Sequence, residues 1–246
     1  MLKPIYILGD THGDMACFAR YVNKYKIEKC TIVHVGDFGF SIDAHGQQTE
    51  DKYSKSLAHY NKMFSARDIT MYVIRGNHDD PAYFDGRFML SNLKLLKDYT
   101  TLELNGQTWL FVGGALSVDR WERKWAGGEG KWWFADEKFV LNKLEIDKLP
   151  KIDVVVTHTA PETVCSYELV GRSEIVHHMV AKGDHSLLTE LWHEQKLLQE
   201  LYDILEFQGS PLTNWYFGHF HKSVKDTYKH TKFRCMAIDE LDEHRS

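Results

Sequence analysis

Residues 5–14 read Ile5-Tyr6-Ile7-Leu8-Gly9-Asp10-Thr11-His12-Gly13-Asp14. A short apolar run ends abruptly in glycines and oxygen or nitrogen donors. Apolar residues rich in β-branched and aromatic types, bounded by turn formers, predict a buried strand running into a loop. The pattern returns four times. Residues 31–35 lead into Gly36-Asp37-Phe38-Gly39, and residues 71–74 into Arg75-Gly76-Asn77-His78-Asp79-Asp80. Residues 154–156 lead into Thr157-His158-Thr159-Ala160-Pro161, and residues 215–217 into Gly218-His219-Phe220-His221.

Helical stretches over 15–26 and 52–66 separate the first three runs. That alternation predicts βαβ units and a largely parallel sheet. Residues 101–104 and 107–112 flank Asn105-Gly106, a pair that supplies the positive φ angles of a type I′ hairpin turn. A second hairpin is expected over 224–228 and 233–238. Residues 186–207 read as one long helix, with Leu187, Leu191, Leu198, Leu201 and Leu205 near one face. The stripe is read as packing on a sheet, with a dimer seam as the alternative.

The chain of 246 residues is 43% hydrophobic and 26% charged, which suits one domain with a substantial core. No apolar run is long enough to cross a membrane. A net charge of −5 gives no overall electrostatic reason to coat nucleic acid. Cys17, Cys30, Cys165 and Cys235 are scattered and read as reduced thiols. With no signal-peptide pattern at the start, this predicts a cytoplasmic protein. Histidine is abundant, at 14 residues.

Loops at the carboxyl ends of strands in an α/β sheet converge on one edge. Here they carry Asp10, His12, Asp37, Asn77, His158, His219 and His221. Burying so many carboxylates and imidazoles without a cation would be costly. The absence of Cys disfavours a finger-type zinc site. The donors are too many for one tetrahedral ion and suit two ions sharing a carboxylate.

In these five motifs the chain resembles the calcineurin-like metallophosphoesterase superfamily, over a span from Asp10 to His221. The resemblance implies a four-layer αββα sandwich, two mixed sheets flanked by helices, forming a single domain over 1–246. It implies one metal held by Asp10, His12, Asp37 and His221. Asp37 would bridge to a second ion held also by Asn77, His158 and His219. The expected activity is hydrolysis of a phosphate mono- or diester, by in-line attack of a metal-bridging hydroxide. His78 is the expected catalytic acid or phosphoryl-oxygen donor. Two divalent ions are expected as cofactors, Mn, Fe or Zn before Mg, because imidazole is a soft partner for Mg.

The second motif departs from the protein Ser/Thr phosphatase branch. Gly36-Asp37-Phe38-Gly39-Phe40-Ser41 lacks the Asp and Arg that follow there, which disfavours a phosphoprotein substrate. Asp43, Asp79 and Asp80 are candidates to orient His78. Gly113-Gly114-Ala115-Leu116-Ser117-Val118-Asp119-Arg120 resembles a segment of bacterial and phage members. Arg120 or Arg123 is a candidate phosphate grip. Residues 121–134, with Trp121, Trp125, Trp132 and Trp133, are a candidate lid, although core packing of at least two of these is expected. Residues 162–185 are a candidate cap, with His177, His178 and His185 on the surface. His34 is expected in the wall, and His45 near the second motif.

The expected partner is a small phosphate ester or nucleotide, with no membrane; nucleic acid is not favoured. The alternatives are a nuclease of the same superfamily and a non-catalytic binding scaffold with this fold.

Overall fold

The computed structural model describes residues 2–39, 42–43, 46–47, 50–127, 130, 133–164 and 174–244. In chain order the first half gives β1 (Ile5–Leu8), α1 (Met15–Lys24), β2 (Thr31–His34), β3 (Ile42–Asp43), β4 (Gly46–Gln47), α2 (Glu50–Ser65) and β5 (Thr70–Val73). There follow β6 (Leu93–Leu95), β7 (Thr100–Leu104), β8 (Gln107–Val112), α3 (Arg120–Ala126), α4 (Lys143–Ile146) and β9 (Val154–Thr157). The chain closes with α5 (Glu174–Lys182), α6 (Leu187–Phe207), β10 (Asn214–Phe217), β11 (Val224–Tyr228), β12 (Thr231–Cys235) and β13 (Leu241–Glu243).

Among the described residues, eleven strands assemble into two mixed sheets, ordered β13-β1-β2-β5-β6 and β11-β12-β10-β9-β8-β7, and β3 and β4 pair separately. In the first, β1, β2, β5 and β6 run parallel and β13 pairs antiparallel to β1. In the second, β8, β9, β10 and β12 run parallel, with β7 and β11 antiparallel at the edges.

Alternation along the strands sets the layers, because successive side chains point to opposite faces. Ile5, Ile7, Val33 and Ile74 of the first sheet meet Trp109, Phe111, Val154, Val156 and Tyr216 of the second in one buried cluster. Their neighbours Leu8, Ile32, Met71 and Val73 face outward and pack with Phe18 and Val22 of α1 and Leu57 and Phe64 of α2. On the far side Leu110, Val155, Trp215, Phe217 and Phe233 pack against α6. The order is helix, sheet, sheet, helix. All five leucines of the α6 stripe are buried in that last cluster, so the stripe is core.

Boundaries shift where the backbone decides. Helix α1 ends at Lys24 because Lys26 takes a left-handed φ of 52°. Asn105 and Gly106 carry φ of 53° and 80°, as the hairpin turn between β7 and β8 requires. The second hairpin closes at Cys235, because residues 236–240 then cross to the first sheet and deliver β13 to β1. No helix among the described residues is long and apolar enough to cross a membrane. Phe40, Ser41, His45, Trp132 and residues 165–173 of the expected cap, Cys165 among them, lie outside the described residues, as does the side chain of Asp43.

Candidate metal centre

The loops that follow β1, β2, β5, β9 and β10 meet at one place. Asp10, His12, Asp37 and His221 each put a ligand atom within 4.8 Å of the others, and so do Asp37, His158 and His219. Asp37 belongs to both sets. Asn77 joins the second, its Oδ1 lying 3.1 Å from His158 Nε2 and 2.9 Å from His219 Nδ1. The structure therefore brings together all seven donors named from the sequence.

Backbone hydrogen bonds stitch these loops before any side chain is considered. The Thr11 and His12 amides both donate to the Asp37 carbonyl, and Gly13 N donates to Phe38 O. The His78 amide donates to Asp37 Oδ1 at 2.8 Å. Asp79 Oδ2 accepts from Gly76 N at 2.8 Å and Phe38 N at 3.1 Å, so this carboxylate ties the second loop to the third. Asp80 caps the short 3-10 turn Pro81–Tyr83 through Ala82 N.

Close approach explains the glycines that precede Asn77 and His219. A Cβ on Gly76 would sit 2.1 Å from Asp37 Oδ1, and one on Gly218 would sit 2.1 Å from Asp10 Oδ1. His12, Asp37, His219 and His221 themselves take positive φ, at 45°, 53°, 67° and 54°. Non-glycine residues in that region cost on the order of 1–3 kcal/mol each and persist where surroundings over-determine them.

Electrostatics show what the site lacks as protein alone. His158 Nδ1 lies 2.8 Å from the Val35 carbonyl, which can only accept, so Nδ1 carries the hydrogen. Its Nε2 then faces two oxygens, Asp37 Oδ1 at 3.2 Å and Asn77 Oδ1 at 3.1 Å. Burial alone would depress His158, yet the Asp37 charge and hydrogen bond outweigh it and lift the ring to about 10. The two oxygens and the ring nitrogen converge on a point that favours positive charge. Burial would raise Asp37, but His158, His78 and His12 hold it well below the usual carboxylate range. His219 is pushed down to about 3, by burial first and then by His158.

Two further contacts point the same way. Asp10 Oδ1 is buried with no hydrogen-bond partner, and the Nε2 atoms of His12 and His221 face each other at 2.9 Å. A buried unpaired acceptor is costly in protein alone, and both it and the convergent ring nitrogens are donors a divalent cation can use. The donor set fits metal ions. The Val35 carbonyl fixes the His158 ring as outer partners of metal-binding histidines do.

His34 is fully buried, as expected of a wall residue. Gly36 N donates to its Nδ1, so its Nε2–H meets Thr11 Oγ1 at 3.1 Å, and Thr11 passes a hydrogen bond to Phe38 O. Burial pushes its pKa down to about 3.

A brace under Asn77 has no counterpart in the sequence motifs. Ser117 Oγ donates to Glu137 Oε2 at 2.8 Å and accepts from Asn77 Nδ2 at 3.0 Å and from Arg123 Nη1. One hydroxyl has one donor and two acceptor sites, so it is saturated. The Asn77 amide is thereby turned with Oδ1 toward the histidines. Arg123 also reaches the Asn77 carbonyl. Ser117 lies in a segment marked by its glycines, and Glu137 carries no signal at all.

Arg120 is placed elsewhere than a phosphate grip requires. It is buried, with Nε and Nη2 on Asp184 at 2.6 and 2.7 Å, and Nη1 and Nη2 on Glu190 at 2.8 and 2.9 Å. Arg123 is likewise turned to the brace. His78 sits at the rim, its ring edge-on to His12 with centroids 5.0 Å apart. Burial lowers its pKa while Asp37 opposes. Trp121 and Trp133 are only half-buried and Trp125 is 77% exposed, so the described tryptophans of 121–134 are not core. His177, His178 and His185 are on the surface.

A family model for calcineurin-like phosphoesterases matches residues 3–223. No curated protein matches the chain in sequence. Among solved structures, the protein TT1561 of Thermus thermophilus is similar with a TM-score of 0.51 at 12% identity, covering 99% of this chain and 99% of that one. Phosphopantetheinyl hydrolase of Mycobacterium tuberculosis gives 0.49 at 11% identity, covering 97% and 90%. An archaeal phosphodiesterase gives 0.39 at 12%, covering 98% of each. The first is a likeness of fold; the other two are weaker.

Proposed function

The chain belongs to the calcineurin-like phosphoesterase family, and from that premise we propose that it hydrolyses phosphate esters at a centre for two divalent cations. The observation that carries this reading is the shared carboxylate: Asp37 completes two separate sets of donors. Asp10, His12, Asp37 and His221 would hold one ion, and Asp37, Asn77, His158 and His219 the other. The mixed imidazole, carboxylate and amide donors suit Mn, Fe or Zn better than Mg. Bound there, such ions supply a water acidified toward hydroxide and positive charge against the phosphoryl oxygens.

The chain's own residues do the rest. The loop stitching around Asp37 fixes both sets with little freedom, so the donors do not reorganise on binding. His78, at the rim, offers an N–H to a phosphoryl oxygen even as a neutral ring. The Ser117 brace keeps the Asn77 oxygen, and not its NH₂, toward the centre.

The test is hydrolysis of p-nitrophenyl phosphate and its bis ester by chelated protein resupplied with Mn²⁺. Turnover of either, lost on chelation and restored by Mn²⁺, supports the reading; preference for the bis ester makes the enzyme a phosphodiesterase. No turnover of any ester, with metal bound, would favour a scaffold built on this fold.

A further inference from the structure

A pocket of about 200 Å³ opens beside the centre and shares His219 and His221 with it. Its other walls come from the loop before α3, from α5 and from α6. Val118, Ile175, Val176, Leu191 and Phe220 make it mainly apolar. Among the described residues, no Lys or Arg lines it. The one carboxyl in the wall, Glu194, has both oxygens occupied, accepting from Leu116 N at 3.1 Å and Phe139 N at 3.0 Å.

Away from His219 and His221, the described walls suit no second phosphate or other anion. A charge placed there would find no counter-ion, and burying it unpaired is costly. The volume suits one ring: a dry apolar cavity of about 150 Å³ holds benzene. Two polar groups remain. The Gln195 amide and the Thr159 hydroxyl line the pocket, are nearly fully buried, and make no side-chain hydrogen bond among the described residues. Binding pockets commonly combine an apolar lining with a few polar points of this kind.

Resting on the phosphoesterase reading, we propose that this pocket receives the uncharged organic group of the ester, of single-ring size and carrying a hydrogen-bonding function that Gln195 reads. A group bonded to a phosphate at the centre reaches the pocket directly, past His219 and His221. Ile175 and Val118 set its width and are specificity-determining residues.

Calorimetry with two uncleavable probes, phenylphosphonate and methylphosphonate, tests this on the full-length Mn²⁺-loaded protein. Burying a ring of this size favours binding by about tenfold or more, so phenylphosphonate binds at least that much tighter. Ile175→Trp fills the mouth from a position that is 44% exposed and outside the core. It removes the preference for the ring and leaves methylphosphonate within about twofold. Val118→Phe, which narrows the other wall, does the same should the first variant fold poorly. Equal binding of the two probes, no binding of either, or a ring preference unchanged in both variants overturns the proposal. The two readings fail separately: ester hydrolysis with equal binding sinks the pocket alone, and ring preference without hydrolysis sinks the phosphoesterase reading alone.

Discussion

The Nε2 atoms of His12 and His221, 209 positions apart in the chain, face each other at 2.9 Å. Two ring nitrogens at that distance share a proton or a cation. His221 Nε2 also lies 3.4 Å from Asp10 Oδ2, and that hydrogen bond, outweighing burial, holds the ring's pKa above its ordinary value. The first and last motifs of the chain thus converge on one point, beside the carboxylate that belongs to both sets of donors.

Asp37→Asn tests the sharing. Asn tolerates the positive φ at this position and keeps the shape while removing the charge. Elemental analysis should find both ions depleted, whereas Asp10→Asn depletes one. Activity of Asp37→Asn should fall by more than about a hundredfold, the upper end of what losing an outer partner costs. Full occupancy in Asp37→Asn would contradict the shared role.

Ser117→Ala removes the hydroxyl that turns the Asn77 amide. Outer partners of metal ligands are worth about 10–100-fold in affinity or activity, and a loss in that range is expected. Because Arg123 and Glu137 lose their shared partner as well, stability should fall by about 1–3 kcal/mol in urea unfolding. Ser117→Thr, which restores a hydroxyl, should recover most of the metal affinity. Failure of Thr to do so would limit Ser117 to packing.

Arg120→Met leaves Asp184 as a buried carboxylate without its partner, which costs about 3–5 kcal/mol in comparable pairs. The variant should unfold at lower urea while KM for any hydrolysed ester stays within about twofold. A large rise in KM with unchanged stability would return Arg120 to the substrate.

Glu194 gives a pH signature. Burial, opposed by the Leu116 and Phe139 amides, raises its carboxyl to about 7, above the unfolded value of about 4.3. Over that window the folded state holds a proton the unfolded chain has released, so stability falls as pH rises. The stability of wild type relative to Glu194→Gln should therefore drop between about pH 4 and pH 7, by on the order of 1–3 kcal/mol. A difference independent of pH would mean that Glu194 is ionised throughout.

The donors were legible in the sequence because they cluster just after strands, with Asp10, Asp37, Asn77 and His219 each preceded by a glycine that lets loops touch. The layers came from the family resemblance, and the structure shows their basis in strand alternation, with Trp109 and Phe111 on one face and Leu110 and Val112 on the other. What the chain did not disclose are partnerships made only on folding. Arg120 looked free to grip phosphate because Asp184 and Glu190 lie more than sixty positions on. Ser117 and Glu137 resembled any surface pair until the fold buried them against Asn77. The second hairpin strand stops short of its apolar run because Met236 belongs to the inter-sheet layer.

The most direct measurement is the number of ions bound. Protein stripped with chelator and titrated with Mn²⁺, its metal counted per chain after removal of free ion, should take up two, with hydrolysis of bis-p-nitrophenyl phosphate appearing as the sites fill. A chain that binds none, or that binds one and is fully active, contradicts the shared-carboxylate account.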